Sequence, residues 1–339
     1  MRVAFVTGPI PLGFCGVGDY TRQLAAAMER KGVQVTVLES PGPGASRVLR
    51  LRAAVKKFRA DITHLQYPTM GFGKGLTPQL FSMFFKSVVT LHEVEGRHIL
   101  RRLSLYPFWV RALYVIFTCN SNREYALRWA PWLRRMSSVI PLSSNIPVQE
   151  HEKTKPTIPE VVHFGLVRPN KGIEQVLEFA RLVSADHLQV NVRIVGSSPA
   201  YHAAYLKKVQ AVSSTLPVTW DLNLSAEDVA QRLGRATLAY FPFPEGASER
   251  HTSILAALAN GLPVITTSGQ FTPNELNRSA IFCTSPKEAM DATKQLVENP
   301  ALRKSLSAQA FQYAKRFSWD SIAEAHISTY EKVLAGKEK

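Results

Sequence analysis

The chain has 339 residues, long enough for two domains, and its 45% hydrophobic and 20% charged content supports packed cores and excludes a disordered polymer. Lys and Arg number 41 against 26 Asp and Glu, a net charge of +15, and +12 of it falls in residues 1–150. The first half is therefore the half expected to meet an acidic surface or ligand.

Taken in order, Arg2–Thr7 (RVAFVT) is a short apolar run that enters a Gly/Pro-rich loop over residues 8–18. Asp19 is placed to cap a helix, DYTRQLAAAMERKG, which Lys31-Gly32 closes, and residues 34–38 (QVTVL) follow as a strand. The alternation continues with a basic helix over about 46–59 and strands at 62–66, 86–92 and 114–118. A helix from Asn122 and a strand at 138–141 complete the first half. Strands alternating with helices predict a parallel sheet covered on both faces.

Residues 143–160, rich in Pro, Ser and charge and without periodicity, read as a linker between domains over 1–150 and 158–316. The same pattern then restarts. Strands are expected at 161–164, 190–195, 218–220, 238–241 and 264–267, and helices at 172–183, 200–213, 225–233 and 252–260. Further helices follow, the last over about 319–334. Two doubly wound α/β domains in tandem should bind ligands at the carboxyl ends of their strands and in the cleft between them.

The apolar stretches near 80–91 and 108–119 are broken by Lys86 and Arg111, so no membrane-spanning helix is expected. Pro9 and Pro11 stand where a secretion signal would continue. Cys15, Cys119 and Cys283 are too far apart for a CxxC motif and read as small buried hydrophobes in a reduced, cytoplasmic protein.

The common cofactor motifs are missing. Gly73-Lys74 has Pro68 where a phosphate-binding P-loop needs its first Gly. Gly13, Gly16 and Gly18 form G-x-x-G-x-G rather than the dinucleotide fingerprint. There is no D-x-D pair to hold a divalent cation, and His92-Glu93 is followed by Gly96 rather than a second zinc-binding His. What remains is a set of anion-binding features at strand-to-helix turns. The glycines of 13–18 precede a helix N-terminus, as a phosphate cradle or simply a tight βα turn. Arg168 and Lys171 in FGLVRPNKG follow a strand and suit a diphosphate, or are solvated surface charge. In the segment 241–267, Glu245 and Glu249 occupy a Gly-containing loop, and Thr252 and Ser253 open a helix whose free N–H groups could hold phosphate oxygens. Carboxylates beside a phosphate site suit sugar hydroxyls, which suggests a nucleotide-sugar.

These residues carry a resemblance. GVGDYT at 16–21, TLHE around His92, IPLSSNIP, HFGLVRPNKG, EG…LAALANGLPVI and the terminal FSWDSIAEAHISTYEKVL, in this order, resemble the landmarks of retaining, family-4 (group 1) GT-B glycosyltransferases almost end to end. The resemblance implies two Rossmann-like domains facing across a cleft, with the C-terminal helix (319–334) crossing back to the first, acceptor-binding domain. It implies sugar transfer from a nucleotide-sugar donor to a glycan or lipid-linked acceptor in polysaccharide or glycoconjugate synthesis, without a cofactor or essential metal. Carried over, Lys171 and Arg168 bind the donor diphosphate and His92 reaches the donor sugar, unless it is only a satisfied strand-end His. Gly16 and Gly18 bring backbone close to the donor and acceptor, and Gly165 and Gly196 belong to the donor-binding residues. Glu245 and Glu249 contact sugar hydroxyls, and Thr252 and Ser253 hold phosphate.

The chain departs from the family pattern in two respects. The second Glu of its Glu-x7-Glu motif is Ala256 here, with Ser248 where the first would fall, and Leu166 stands where Arg is common. Alternatives within the architecture are a nucleotide-sugar epimerase or a sugar phosphorylase. Charge alone would suggest a nucleic-acid-binding protein, but no such motif is present and no nucleic acid partner is expected.

The basic residues of the first half include six in 47–59, then Arg97, Arg101, Arg102, Arg111, Arg123, Arg128, Arg134 and Arg135, with Trp109, Trp129 and Trp132 among them. They read as a peripheral docking face for an anionic membrane, an acceptor-glycan surface or a solvated basic face.

Overall fold

The computed structural model describes residues 1–9, 16–40, 45–73, 75–94, 99–149 and 156–336. Gly13, Cys15, Lys74, Arg97 and the side chain of Arg101, named above, lie outside the described residues. The chain divides into two compact units, Met1–Ser143 with Ser318–Lys339, and Ser144–Phe317.

The first unit runs β1 (Arg2–Thr7), α1 (Gly16–Arg30), β2 (Gln34–Glu39), α2 (Ala45–Phe58), β3 (Ile62–Tyr67), α3 (Thr77–Phe84), β4 (Val88–Leu91), α4 (Ile99–Arg111), β5 (Tyr114–Phe117), α5 (Asn120–Trp129) and β6 (Ser137–Val139). All strands are parallel in the order β2-β1-β3-β4-β5-β6. Neighbouring residues on a strand feed opposite faces, as the two-residue repeat demands. Val89, Val115 and Phe117 join the core under α2–α5, while Val88 and Ile116 join the core on the other face.

One expectation is corrected here. Asp19 does not cap α1, because the helix is already running at Gly16. Gly16 and Gly18 are therefore helical, and Asp19 lies in the first turn, where a negative charge suits the helix dipole.

The second unit runs β7 (Glu160–Leu166), α6 (Ile173–Ala185), β8 (Asn191–Ser197), α7 (Ala203–Val212), β9 (Val218–Leu222), α8 (Ala226–Arg235), β10 (Leu238–Phe241), α9 (Thr252–Ala259), β11 (Val264–Thr266), β12 (Ala280–Phe282), α10 (Pro286–Glu298) and α11 (Pro300–Ala314). Its parallel sheet has the order β12-β11-β10-β7-β8-β9. The chain starts in the middle, at β7, builds outward through β8 and β9, then crosses to β10 on the other side. The strand order thus reverses between β7 and β10, which is where a ligand crevice forms in such sheets. Val161 and Val162, adjacent on β7, belong to the two different cores that flank the sheet.

The final helix, α12 (Trp319–Ala335), returns to the first unit. Ser318 caps it, accepting from the Ser321 N–H, and Ile322, Ala323 and Tyr330 are buried with Leu24, Met28 and Ile116 in the core under α1. The Tyr330 hydroxyl meets His64 Nδ1, and His64 Nε2 lies 2.7 Å from Thr90 Oγ1. A helix far away in sequence thereby satisfies a histidine buried in β3.

Candidate functional site

The pocket of the second unit, about 420 Å³, lies at the carboxyl ends of β7 and β8 and the N-terminus of α9. That volume suits a small organic ligand. Gly165, Leu166, Lys171, Gly196, Thr252 and Ser253 line it, together with His163, Arg250 and His251.

Two glycines on the floor have different reasons to be glycine. Gly165 and Gly196 are paired across β7 and β8. A Cβ on Gly196 would strike the Gly165 carbonyl oxygen, so Gly196 is required by packing. A Cβ on Gly165 would meet nothing within 4 Å and would project into open space beside the pocket. Both belong to strands that run further than the expected 161–164 and 190–195, so each lies within a strand rather than just beyond it.

Lys171 is brought in by the turn between β7 and α6. Gly172, the residue before α6, has φ +79, and a Cβ there would collide with the Pro242 carbonyl. Only glycine permits that conformation and that approach, which presses the Arg168–Lys171 turn onto the segment after β10. Lys171 is half-buried, and its pKa is lowered chiefly by that burial; the charge of Arg168 lowers it further and Glu245 opposes the shift. Arg168 acts on Lys171 without lining the pocket.

The loop from β10 to α9 holds Glu245, exposed in a turn, and Glu249, half-buried; neither lines the pocket. Thr252 and Ser253 do, as the first two residues of α9. No side chain caps this helix, and its N-terminus favours negative charge. Ala256 is fully buried in α9, so no carboxylate occupies the position where the family pattern has its second Glu.

Three residues that the sequence reading passed over complete the pocket. His251 lies flat on Phe243, with ring centroids 3.7 Å apart and planes 7° from parallel. Its Nδ1 accepts from the Ser248 N–H at 3.1 Å, which places the proton of the neutral ring on Nε2. Burial, then the charges of Lys171 and Arg250, push its pKa down to about 4. His163 donates from Nδ1 to the Tyr240 carbonyl at 3.0 Å, and burial holds its pKa at about 4. Arg250 adds a third cation to Lys171 and Arg168 in this region. A signal for His251 was present, since it directly precedes Thr252. His163 gave one too, as the polar residue in the strand VVHF.

In the first unit, His92 directly follows β4, and its N–H donates to the Tyr67 carbonyl at 2.8 Å, continuing the ladder with β3. Its carbonyl accepts from Thr118 Oγ1 and Asn122 Nδ2. Nε2 lies 2.8 Å from Gln66 Oε1, and the ring meets Tyr20 edge-on with centroids 5.1 Å apart. Burial, and then His326, push its pKa to about 3, so the imidazole is neutral at pH 7. Gly16 and Gly18 belong to this unit also.

Among the described residues no group of three or more His, Cys, Asp or Glu side chains could hold a metal ion.

Residues 158–299 match the model of the family described as Glycosyl transferases group 1. A D-inositol 3-phosphate glycosyltransferase from Nocardioides sp. is 30% identical over 122 residues, which are 33% of this chain and 25% of that protein, so the match spans about a quarter of the relative's length. The crystal structure of a glycosyltransferase from Rickettsia africae is similar at a TM-score of 0.75 and 14% identity, covering 98% of both chains. The Anabaena protein Alr3699/HepE, solved in complex with UDP and glucose, is similar at a TM-score of 0.70 and 17% identity, over 98% of this chain and all of that one.

Proposed function

We propose that the protein is a retaining glycosyltransferase of group 1 that uses a nucleotide-sugar donor: residues 158–299 match that family's model, and the GT-B fold runs the length of the chain. The observation that carries this reading is the juxtaposition of Lys171 with the uncapped N-terminus of α9 at the strand-order reversal of the second unit. As the bond from the sugar to the diphosphate breaks, negative charge grows on the phosphate oxygens. Lys171 and Arg168 supply cations there, and the first turn of α9 supplies oriented N–H groups. Retention means that the acceptor oxygen takes the face of the sugar from which the diphosphate leaves. Transfer is proposed to need no metal, because fixed cations take the neutralising role.

Glu245 and Glu249 are proposed to receive sugar hydroxyls, and Gly165 and Gly196 to let the donor lie close to the backbone. The first unit is proposed to serve the acceptor, a glycan or lipid-linked saccharide, with His92 meeting the sugar and the α1 glycines Gly16 and Gly18 close to the ligand. The physiological setting proposed is cell-surface polysaccharide or glycoconjugate synthesis, by a cytoplasmic protein attached peripherally to the inner face of a membrane.

The uridine nucleotide bound by the Anabaena structure makes UDP-sugars the first donors to try. The test is a panel of nucleotide-sugars scored by thermal shift, since a ligand at about 100 times its Kd stabilises by about 2.7 kcal/mol. Product analysis with EDTA present follows. No shift with any nucleotide-sugar, or release of an epimerised donor without an acceptor, would overturn the reading.

A further inference from the structure

A helix on a protein surface ordinarily turns a polar face to water, whereas among the described side chains the outer face of α4 is mostly apolar. Its inner face buries Leu105, Phe108 and Trp109. Its outer face shows Leu100, 66% exposed, and Leu103, Tyr106 and Val110, each at least half exposed. Their spacing of three, three and four residues sets them on one stripe. Two tryptophans extend it. Trp132 meets Tyr106 edge-on at 6.3 Å and is held there by Nε1 donating to the Trp109 carbonyl at 2.9 Å. Trp129, half exposed, carries the Arg102 guanidinium over its ring at 5.1 Å.

The surroundings of this stripe are basic. Residues 99–135 hold seven Arg and a single acid, Glu124, and Arg111, Arg128, Arg134 and Arg135 are exposed. A second copy of the chain docking here through the same patch would set like charges against each other. A nucleic acid would match the arginines but leave Leu100, Leu103 and Val110 in water. An anionic bilayer matches both features: acyl chains for the aliphatic stripe, the headgroup layer for Trp and Tyr, and lipid phosphates for arginine. Among the described residues no helix is long and apolar enough to cross a membrane, so contact through this face would be interfacial.

We propose that the outer face of α4, with Trp129 and Trp132, is the surface by which the first unit seats on an anionic lipid bilayer. This gives a surface to the peripheral attachment proposed above and does not depend on the donor reading, because vesicle binding is measured without nucleotide. The full chain should co-sediment with phosphatidylglycerol–phosphatidylcholine vesicles about ten-fold more strongly than with phosphatidylcholine alone. Added salt should weaken that binding, and tryptophan emission should shift to the blue on binding. The double variant Leu100→Ser/Leu103→Ser should lose the blue shift and about ten-fold in binding, while its melting temperature and its thermal shift with nucleotide-sugar stay as in the parent. Arg134→Glu/Arg135→Glu should weaken binding to anionic vesicles only. Val110→Ser serves as a second probe of insertion if the double variant folds poorly.

Equal binding to both vesicle types, no binding to either, or undiminished binding by the Leu variants would overturn the proposal. So would a concentration-dependent dimer that Leu100→Ser/Leu103→Ser abolishes, or binding to duplex RNA that outcompetes the vesicles. A chain that binds vesicles but no nucleotide-sugar would remove the donor reading and leave this one standing.

Discussion

The imidazole of His251 lies flat on the ring of Phe243, 3.7 Å between centroids, while its Nδ1 accepts from the Ser248 N–H. One residue thus ties the loop after β10 to the start of α9 and places a neutral N–H donor at the pocket. His251→Ala removes the stack and the acceptor together and is expected to cost about 1 kcal/mol in stability, besides weakening donor binding. His251→Phe keeps the stack and should recover most of the stability but not the binding. Urea denaturation alongside nucleotide-sugar titration measures both; equal donor affinity in all three proteins would leave His251 with a packing role only.

Lys171→Ala should fold like the parent, because the side chain is half-buried and the charged groups that act on it are the cation Arg168 and the exposed Glu245. Its turnover should fall by about 100- to 1,000-fold, the usual loss when one charge-stabilising group is removed from a reacting centre. Steady-state kinetics with a saturating donor is the measurement. Near-parental turnover would separate Lys171 from the diphosphate.

Gly165 and Gly196 should separate binding from stability. Gly196→Ala puts a methyl into the Gly165 carbonyl and is expected to destabilise by about 1–3 kcal/mol. Gly165→Ala meets no atom within 4 Å, so stability should hold while the methyl projects beside the pocket and weakens the donor. Chemical denaturation and ligand titration on both variants check the contrast, and a reversed pattern would contradict the assigned pocket floor.

Acid should unfold the protein earlier than its carboxylates require. His163 and His326 are buried with pKa values near 4, and His64 is pushed down by burial and by His326 and His92. Each lies below its unfolded value of about 6.5, so between about pH 6.5 and 4 the unfolded chain binds more protons. Stability therefore falls as pH falls through that window, by up to about 1.4 kcal/mol per pH unit for each histidine. His326→Gln should flatten the dependence of the denaturation midpoint on pH. A midpoint that is constant from pH 7 to about 5 would count against neutral burial.

Much of the fold is legible in the chain because periodicity is local. Runs such as VVHF and LAYF, bounded by Gly and Pro, mark strands whatever surrounds them. The cations Arg168 and Lys171 and the start of α9 at Thr252 are legible for the same reason, each following directly from a strand or helix boundary. Other boundaries are less clear. β7 and β8 continue through Gly165 and Gly196, one residue past the ends expected from the sequence, where the two strands pair with each other.

By itself, then, the sequence determined two parallel α/β units, the uneven placement of the positive charge, and the cations and helix start at which a phosphate-bearing ligand is expected. Tertiary structure alone decided which residues share a pocket, and it added His163, Arg250 and His251 while leaving Glu245 and Glu249 out of its lining. It also decided that Gly196 is demanded by a neighbouring carbonyl, and that Leu100, Leu103 and Val110 on α4 face outward while Leu105 and Phe108 face the core. The physical reason is common to these cases. Secondary structure follows from the nearest few residues, whereas burial, proximity and desolvation depend on atoms distant in the chain, which come together only on folding.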